Sequence, residues 1–544
     1  TRYIGVTGVQ TCALPISDNC PLVPGTSSDC GGLANPSLDK NYIITKAYKV
    51  ASTSSIASPT PAQATVGITY YDGLGRPIQQ IANQQSNTGK DIVTHTEYDA
   101  YGRQTKDYLP FVGTNRNMTF DSSAQSNTLA FYNTVSYENT ANPFSEKVLE
   151  SSPLSRVLKQ AAPGNDWAIG QGHEIKLDYQ TNTANEVKRF TATATWNSST
   201  GVYDTSLENM AGTTFYAANQ LYKNLSFDEN TAATPTETNG STLEFKNKAG
   251  QVVLKRTYAT TGGVESSMEQ HDTYYVYDVY GNLTYVIPPK ADMALTQAIL
   301  DELCYQYQYD ARNRLAAKKL PGKQWEYMVY DKLDRVVATG PSFSPFSDVA
   351  ASGWLVSKYD AFNRVVYTGW LNSSVTAATR KTMQDAQNTA TTINESKQSS
   401  GTIDGIAVNY SNAVAPTGLK LLSVNYYDDY TIPSISTVTS VEGQTVATAT
   451  KGLATGSWTR IATTTAETKG ETSYILYDAK YHPIRSYTTN YLGGYTCTDS
   501  KLDAFSGQLQ YTVQKHKRTT ADTKLSIKDA FTYSAQDRLL TRTH

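Results

Sequence analysis

The residues most suited to chemistry in this chain are aspartates that recur in one setting. YDGLGRP begins at Tyr71, YDAYGRQ at Tyr98, YDVYGNL at Tyr277, YDARNRL at Tyr309, YDKLDRV at Tyr330, YDAFNRV at Tyr359 and YDAKYHP at Tyr477, with a degraded YSAQDRL at Tyr533. Repeated carboxylates at fixed positions could ligate metal or move protons. A metal site or an acid/base pair needs a second fixed acidic or His partner, and the repeat has none that recurs at a fixed position. The six histidines, His95, His173, His271, His482, His516 and His544, are scattered singly. HEIKLD at His173 has no second His four residues on, and there is no GxSxG, HExxH, GxxxxGK[ST], EF-hand loop or CxxC. Asp428 and Asp429 in NYYDDY could hold a cation with outside help, and a solvated turn is the simpler reading. The sequence is therefore read as having no catalytic, cofactor-binding or metal-binding residues and no enzymatic activity.

The motif has a structural reading instead, as a hairpin turn. CYQYQYD places Tyr305, Tyr307 and Tyr309 on one strand face and Gln306 and Gln308 on the other, the period of two of a pleated strand. Leu283, Tyr285 and Ile287 continue the alternation on a return strand. Aspartate in the first turn position accepts a hydrogen bond from the backbone two residues on, and the fifth motif residue takes positive φ, as in a type I turn with a G1 bulge. That fifth residue is Gly75, Gly102 and Gly281, then Asn313, Asp334, Asn363 and Asp537, the types that best tolerate the left-handed region. The structural residues of the turns are accordingly Tyr71, Asp72, Gly75, Tyr98, Asp99, Gly102, Tyr277, Asp278, Gly281, Tyr309, Asp310, Asn313, Tyr330, Asp331, Asp334, Tyr359, Asp360 and Asn363. Tyr481 breaks the rule, so its copy is expected to turn differently.

Composition agrees with a β protein. Of 544 residues 39 are Tyr against 13 Phe, which suits half-buried strands where a ring packs and a phenol reaches water. Lys+Arg 47 against Asp+Glu 49 gives a net charge of -2, so no basic field recruits nucleic acid or anionic lipid, and KHKR at Lys515 is too short for such a footprint. No apolar run approaches the length of a membrane helix. Two helical excursions are expected. One is PPKADMALTQAILDEL, with Ala291, Leu295 and Ile299 at helical spacing behind Pro288 and Pro289; the other lies between Val375 and Ser396.

Along the chain, residues 1–17 include VTGVQTCALPIS, which resembles translated sequencing adapter and is expected to pack against nothing. Residues 18–40 read as a linker, in which Cys20 and Cys30 either pair or stay free. Residues 41–165 form an N-terminal domain including the first turns, 166–240 a β-rich insertion, and 241–544 the repeat region. The chain reads as cut at both ends.

The turns resemble the YD repeats of the bacterial RHS (rearrangement hot spot) family, and NYIITKAYK from Asn41 looks like the domain of unknown function that precedes those repeats in one branch. The resemblance implies a mostly β fold of antiparallel hairpins joined edge to edge into part of a spiralling shell. It implies a secreted or cell-surface protein of the polymorphic-toxin type, whose shell encloses a C-terminal payload. The partners so implied are a payload domain beyond this sequence and, further, glycans or a secretion apparatus. No DPxG self-cleavage motif occurs here. A cell-surface adhesion module binding carbohydrate is the alternative. In the shell reading, a concave face is expected to be lined by polar residues and tyrosines.

Overall fold

The computed structural model describes residues 9–13, 36–54, 56–238, 240–260, 268–292 and 295–544. Antiparallel hairpins dominate. A first, six-stranded sheet contains Val9–Ala13, Asn41–Tyr48, Ala64–Tyr71, Pro77–Ala82, Ile92–His95 and Phe111–Val112. Strand Ala64–Tyr71 alternates buried and half-buried positions, and Ala64, Val66, Ile68 and Tyr70 pack with Ile81, Val93 and Phe111. Helix α1, Ala124–Tyr132, packs on this sheet. Its polar sequence AQSNTLAFY carries no helical apolar stripe, and it lies outside the two helical excursions expected from the sequence. Residues 9–13, expected to pack against nothing, pair with Ile43–Ala47. Cys20 and Cys30 lie outside the described residues.

The rest of the chain builds one long strip. Twenty-three strands follow one another in sequence order, from Lys106–Tyr108 through Phe144–Leu149 to Leu539–Thr543. The sheet is not closed into a barrel: Leu539–Thr543 is in register with Leu525–Tyr533 on one side and is exposed along its length. Strands Ile175–Thr181 and Tyr222–Phe227 are neighbours within this strip. The segment 166–240 is thus not an insertion as a whole; what leaves the strip is the hairpin Thr191–Asn197/Val202–Glu208.

One face of the strip must be covered, and the chain's own excursions cover it. Tyr274 faces Ile287 and Val276 faces Tyr285 across two strands, and all four are buried with Leu225, Leu243, Phe245 and Leu254. The hairpin at 191–208 and two short helices, α2 (Pro289–Asp292) and α3 (Gln297–Leu303), pack over them. The predicted single helix is broken between these two, where Thr296 caps α3 by accepting from the Ile299 amide. A second apolar cluster joins Trp354, Val356, Val366, Leu421 and Val424 to the hairpin Lys397–Ile403/Ile406–Tyr410. Helix α4, Ala377–Thr389, opens with a Thr376/Thr379 capping box and lies on strand Trp325–Tyr330. The expectation of a face lined by polar residues and tyrosines therefore fails over these strands. A wide antiparallel sheet needs a covering layer, and here it is built from insertions between strands. Gln306 shares the covered face with Tyr285, so the stripe of Tyr305, Tyr307 and Tyr309 points to the other side.

Candidate functional site

Each Tyr-Asp turn is a closed set of hydrogen bonds. At Asp331, Oδ1 accepts from the Leu333 and Arg335 amides at 2.9 and 3.0 Å, and Oδ2 accepts from Arg335 Nε at 2.6 Å. The Asp334 amide donates to the Asp331 carbonyl, and the Asp331 amide to the Arg335 carbonyl. The same pattern recurs at Asp72, Asp99, Asp310 and Asp360, with Asn282 or His482 replacing the arginine at Asp278 and Asp478. The ladder shifts register at Tyr71, Tyr277, Tyr309, Tyr330 and Tyr359, as a bulge requires. The fifth residues have φ of 77° at Gly75 and Gly102, 82° at Gly281, 56° at Asn313, 61° at Asp334 and Asp537, and 63° at Asn363.

Tyr481 corrects the expectation of a different turn. Its φ is 66°, and its amide donates to the Asp478 carbonyl as in the other copies. The aspartate network sets the backbone, and the fifth side chain only has to survive it.

The turns are joined to one another. In six copies the motif tyrosine donates its phenol to a carbonyl in the preceding turn's return strand: Tyr98 to Pro77, Tyr277 to Val252, Tyr309 to Leu283, Tyr330 to Leu315, Tyr359 to Val336 and Tyr477 to Ala454. The motif arginine lies over the next tyrosine ring, Arg76 on Tyr98, Arg314 on Tyr330 and Arg335 on Tyr359, at 4.3 to 4.7 Å from the centroid. Its Nη1 then reaches the next turn: Arg314 donates to the Asp331 carbonyl and Asp334 carboxylate, and Arg335 to the Asp360 carbonyl and Asn363 side chain. The fifth residue thus has a second role. Where the preceding donor points at it, Asn or Asp supplies an acceptor; at Gly102, a Cβ would sit 2.8 Å from Arg76 Nη1.

Sequence reasoning missed several members of this row. Asn247 accepts from the Ala249 and Gln251 amides with Gly250 at φ 81°, and Asn490 accepts from the Leu492 and Gly494 amides. Asn-x-x-Gly was the available signal, hidden because Lys246 and Thr489 stand where tyrosine was sought. Tyr427-Asp428 is a motif copy whose turn is opened by a long excursion: Asp428 Oδ1 accepts from the Gly452 amide at 2.7 Å, and Tyr427 donates to Val365.

None of these carboxylates is free for chemistry in the described structure. Asp428 is paired through both oxygens with Arg364, at 2.8 and 2.6 Å, which holds its pKa down to about 2, and Asp429 pairs with Lys397 at 2.6 Å. Those pairs occupy the residues considered for a cation. Hydrogen bonds from the Arg76 and Arg103 amides likewise lead the lowering at Asp72 and Asp99. Among the described residues no three His, Cys, Asp or Glu side chains gather as a metal would need. Burial pushes the free thiols of Cys304 and Cys497 up to about 12 and about 11, away from the nucleophilic thiolate. The geometry is that of a mechanical spine along one edge of the strip.

With that spine described, comparison with known proteins adds one family. The model of a family described as "Domain of unknown function (DUF6443)" matches residues 44–181, which takes in most of the first sheet and the first strands of the strip. No curated protein matches. Among solved structures, this chain is similar to one titled "Crystal Structure of TcdB2-TccC3", at 12% identity and TM-score 0.38, over 92% of this chain and 24% of that one. A form without the hypervariable C-terminal region gives 14% identity, TM-score 0.38 and the same coverages. The Photorhabdus luminescens Tc holotoxin pore gives 12%, 0.37, 92% and 22%. The chain spans less than a quarter of those chains, and at such TM-scores the likenesses place no residue of this one. No described helix is long and apolar enough to cross a membrane.

Proposed function

We propose that this chain is a non-catalytic shell segment of an RHS-type protein, which encloses or delivers a polypeptide domain outside these residues and is secreted with it. The supporting observation is the spine of turns. Each motif carboxylate is spent on its own turn and the motif arginines reach towards the next, an arrangement that holds a strip in shape and occupies these groups structurally. The exposed tips of the turns, Leu74, Tyr101, Tyr280 and Phe362, carry apolar and aromatic side chains and no polar constellation.

The test is protection. The contiguous protein, carrying whatever domain follows the strip, is treated with a protease that cuts exposed chain. The downstream domain should survive in the intact protein and be degraded once Arg335 and Arg364 are both replaced by Ala. Degradation of that domain at the rate of the free domain would overturn the proposal, and saturable binding to glycans would put adhesion in its place.

A further inference from the structure

One turn of the spine, Ser534–Arg538, touches the first sheet. Because the strip is a sequential meander, its Tyr-Asp turns share one edge, and each donor side chain finds the next turn: Gln251 the Gly281 carbonyl, Asn282 Asn313, Arg314 Asp331, Arg335 Asp360, Arg364 Asp428, Lys480 the Ala504 and Phe505 carbonyls, and Gln508 Asp537. The donors of the turn Ser534–Arg538 reach the first sheet. Arg538 Nη2 donates to the Gln85 carbonyl at 3.0 Å, its Nη1 meets the Asn87 side chain, and Gln536 Nε2 donates to the Gln84 carbonyl at 3.3 Å.

The first sheet reciprocates. Lys49 Nζ lies 2.8 Å from Asp537 Oδ2 and donates to the Ala535 carbonyl at 2.9 Å, with only 12% of its side chain exposed. This repeats what a preceding repeat does within the strip, where Arg314 and Arg335 place a cation on the fifth residue's side chain and on a turn carbonyl. On its other side the first sheet runs into the strip through the turn Asp99–Arg103, where Tyr98 donates to the Pro77 carbonyl of the sheet and Arg103 Nη1 reaches the Glu150 carbonyl and Ser155 Oγ at 3.2 Å.

We infer that Lys49 and the Gln84–Asn87 loop form a docking surface for a Tyr-Asp-type turn, occupied by the chain's own Ser534–Arg538. The first sheet is then a clasp that holds this turn of the strip by side-chain contacts where no ladder does. The occupant is fixed by the contacts themselves, and the inference stands apart from any enclosed cargo. A clasp made of one ion pair and a few hydrogen bonds at the surface opens with salt, whereas the apolar clusters do not.

Hydrogen exchange on the full chain tests it. Lys49→Glu and Asp537→Lys should each speed exchange in Leu525–Thr543 and in 84–90 together, by about fivefold, for a single pair of this exposure. The double charge swap should return both segments to near the wild-type rates. Raising salt from about 0.05 M to about 1 M should speed the same two segments in the unmodified chain, since screening needs no mutation. The clasp is overturned if the single variants leave the two segments at wild-type rates, if the swap fails to restore them, or if salt moves one segment without the other.

Discussion

A carboxylate that accepts two amides and a guanidinium is held in its own turn by charge-assisted hydrogen bonds, and this decides what the motif aspartates do. The fifth residue is decided by two demands, a positive φ and the direction of the preceding donor. Gly75 and Gly102 share φ 77°, but a Cβ at 75 meets nothing within 4 Å while one at 102 meets Arg76. Gly75→Ala and Gly102→Ala should both carry the strain of a side chain at positive φ, and Gly102→Ala should cost about 0.5 kcal/mol more, because its Cβ displaces Arg76 without supplying the acceptor that Asn363 offers Arg335. Urea unfolding of both variants checks this, and in an Arg76→Ala background the difference should vanish. The backbone demand was legible in the sequence because Gly, Asn and Asp replace one another at one position. The donor demand was not, since it joins residues some twenty to thirty positions apart through pairings that only the fold supplies. Tyr481 shows the same limit from the other side: a side chain with poor intrinsic preference is carried by the network around it.

Between turns, the arginine is the connecting element, and its shape matters as much as its charge. Arg335, 9% exposed, bonds Asp331, the Asp360 and Ile393 carbonyls and Asn363 while covering Tyr359. Arg335→Ala strands the Asp331 carboxylate, 1% exposed, and should cost about 3 kcal/mol or more. Arg335→Lys should recover only part of that, because a single ammonium cannot bridge the same partners. Differential scanning calorimetry of the two variants separates these outcomes. The opened turn at Asp428 depends on pH in a definite sense. Its folded pKa is depressed to about 2, so the stabilisation by Arg364 is complete above the ordinary carboxylate range and is lost as pH falls toward 2. Pepsin cleavage within 429–449 should therefore rise as pH is lowered from about 4 to about 2, and at any pH in that window be greater in Arg364→Gln. The helices were legible in unequal measure. Thr376 and the Arg380, Gln384 and Gln387 face of α4 lie within the predicted stretch, but α1 has no apolar stripe and is helical because the first sheet needs a cover.

For the molecule as a whole, a strip in which neighbours in sequence are neighbours in space should behave like a repeat protein, with stability that is a sum of local contributions and interfaces. The repeated turns made that order readable in advance. What they could not show was which segments fold back as covers, because the hairpin at 191–208 and the one at 397–410 read as ordinary strands. Those covers divide the interior: Leu243 belongs to the cluster beneath 191–208, α2 and α3, and Leu421 to the cluster beneath 397–410. Both side chains are fully buried. Replacing either with Ala removes a core contact and leaves a cavity, a loss of about 2–5 kcal/mol. If the strip were a single cooperative unit, either substitution would speed exchange everywhere. If the clusters are separate units, Leu243→Ala should raise hydrogen exchange in strands Tyr222–Phe227, Ser241–Lys246 and Val252–Thr260 while leaving Val365–Leu371 and Lys420–Asp428 near their wild-type rates, and Leu421→Ala should do the reverse. The second pattern is expected, because the strands between the clusters are joined by ladders and turn contacts that can break one repeat at a time. A common rate change across both sets of strands would show that the curled strip unfolds as one body.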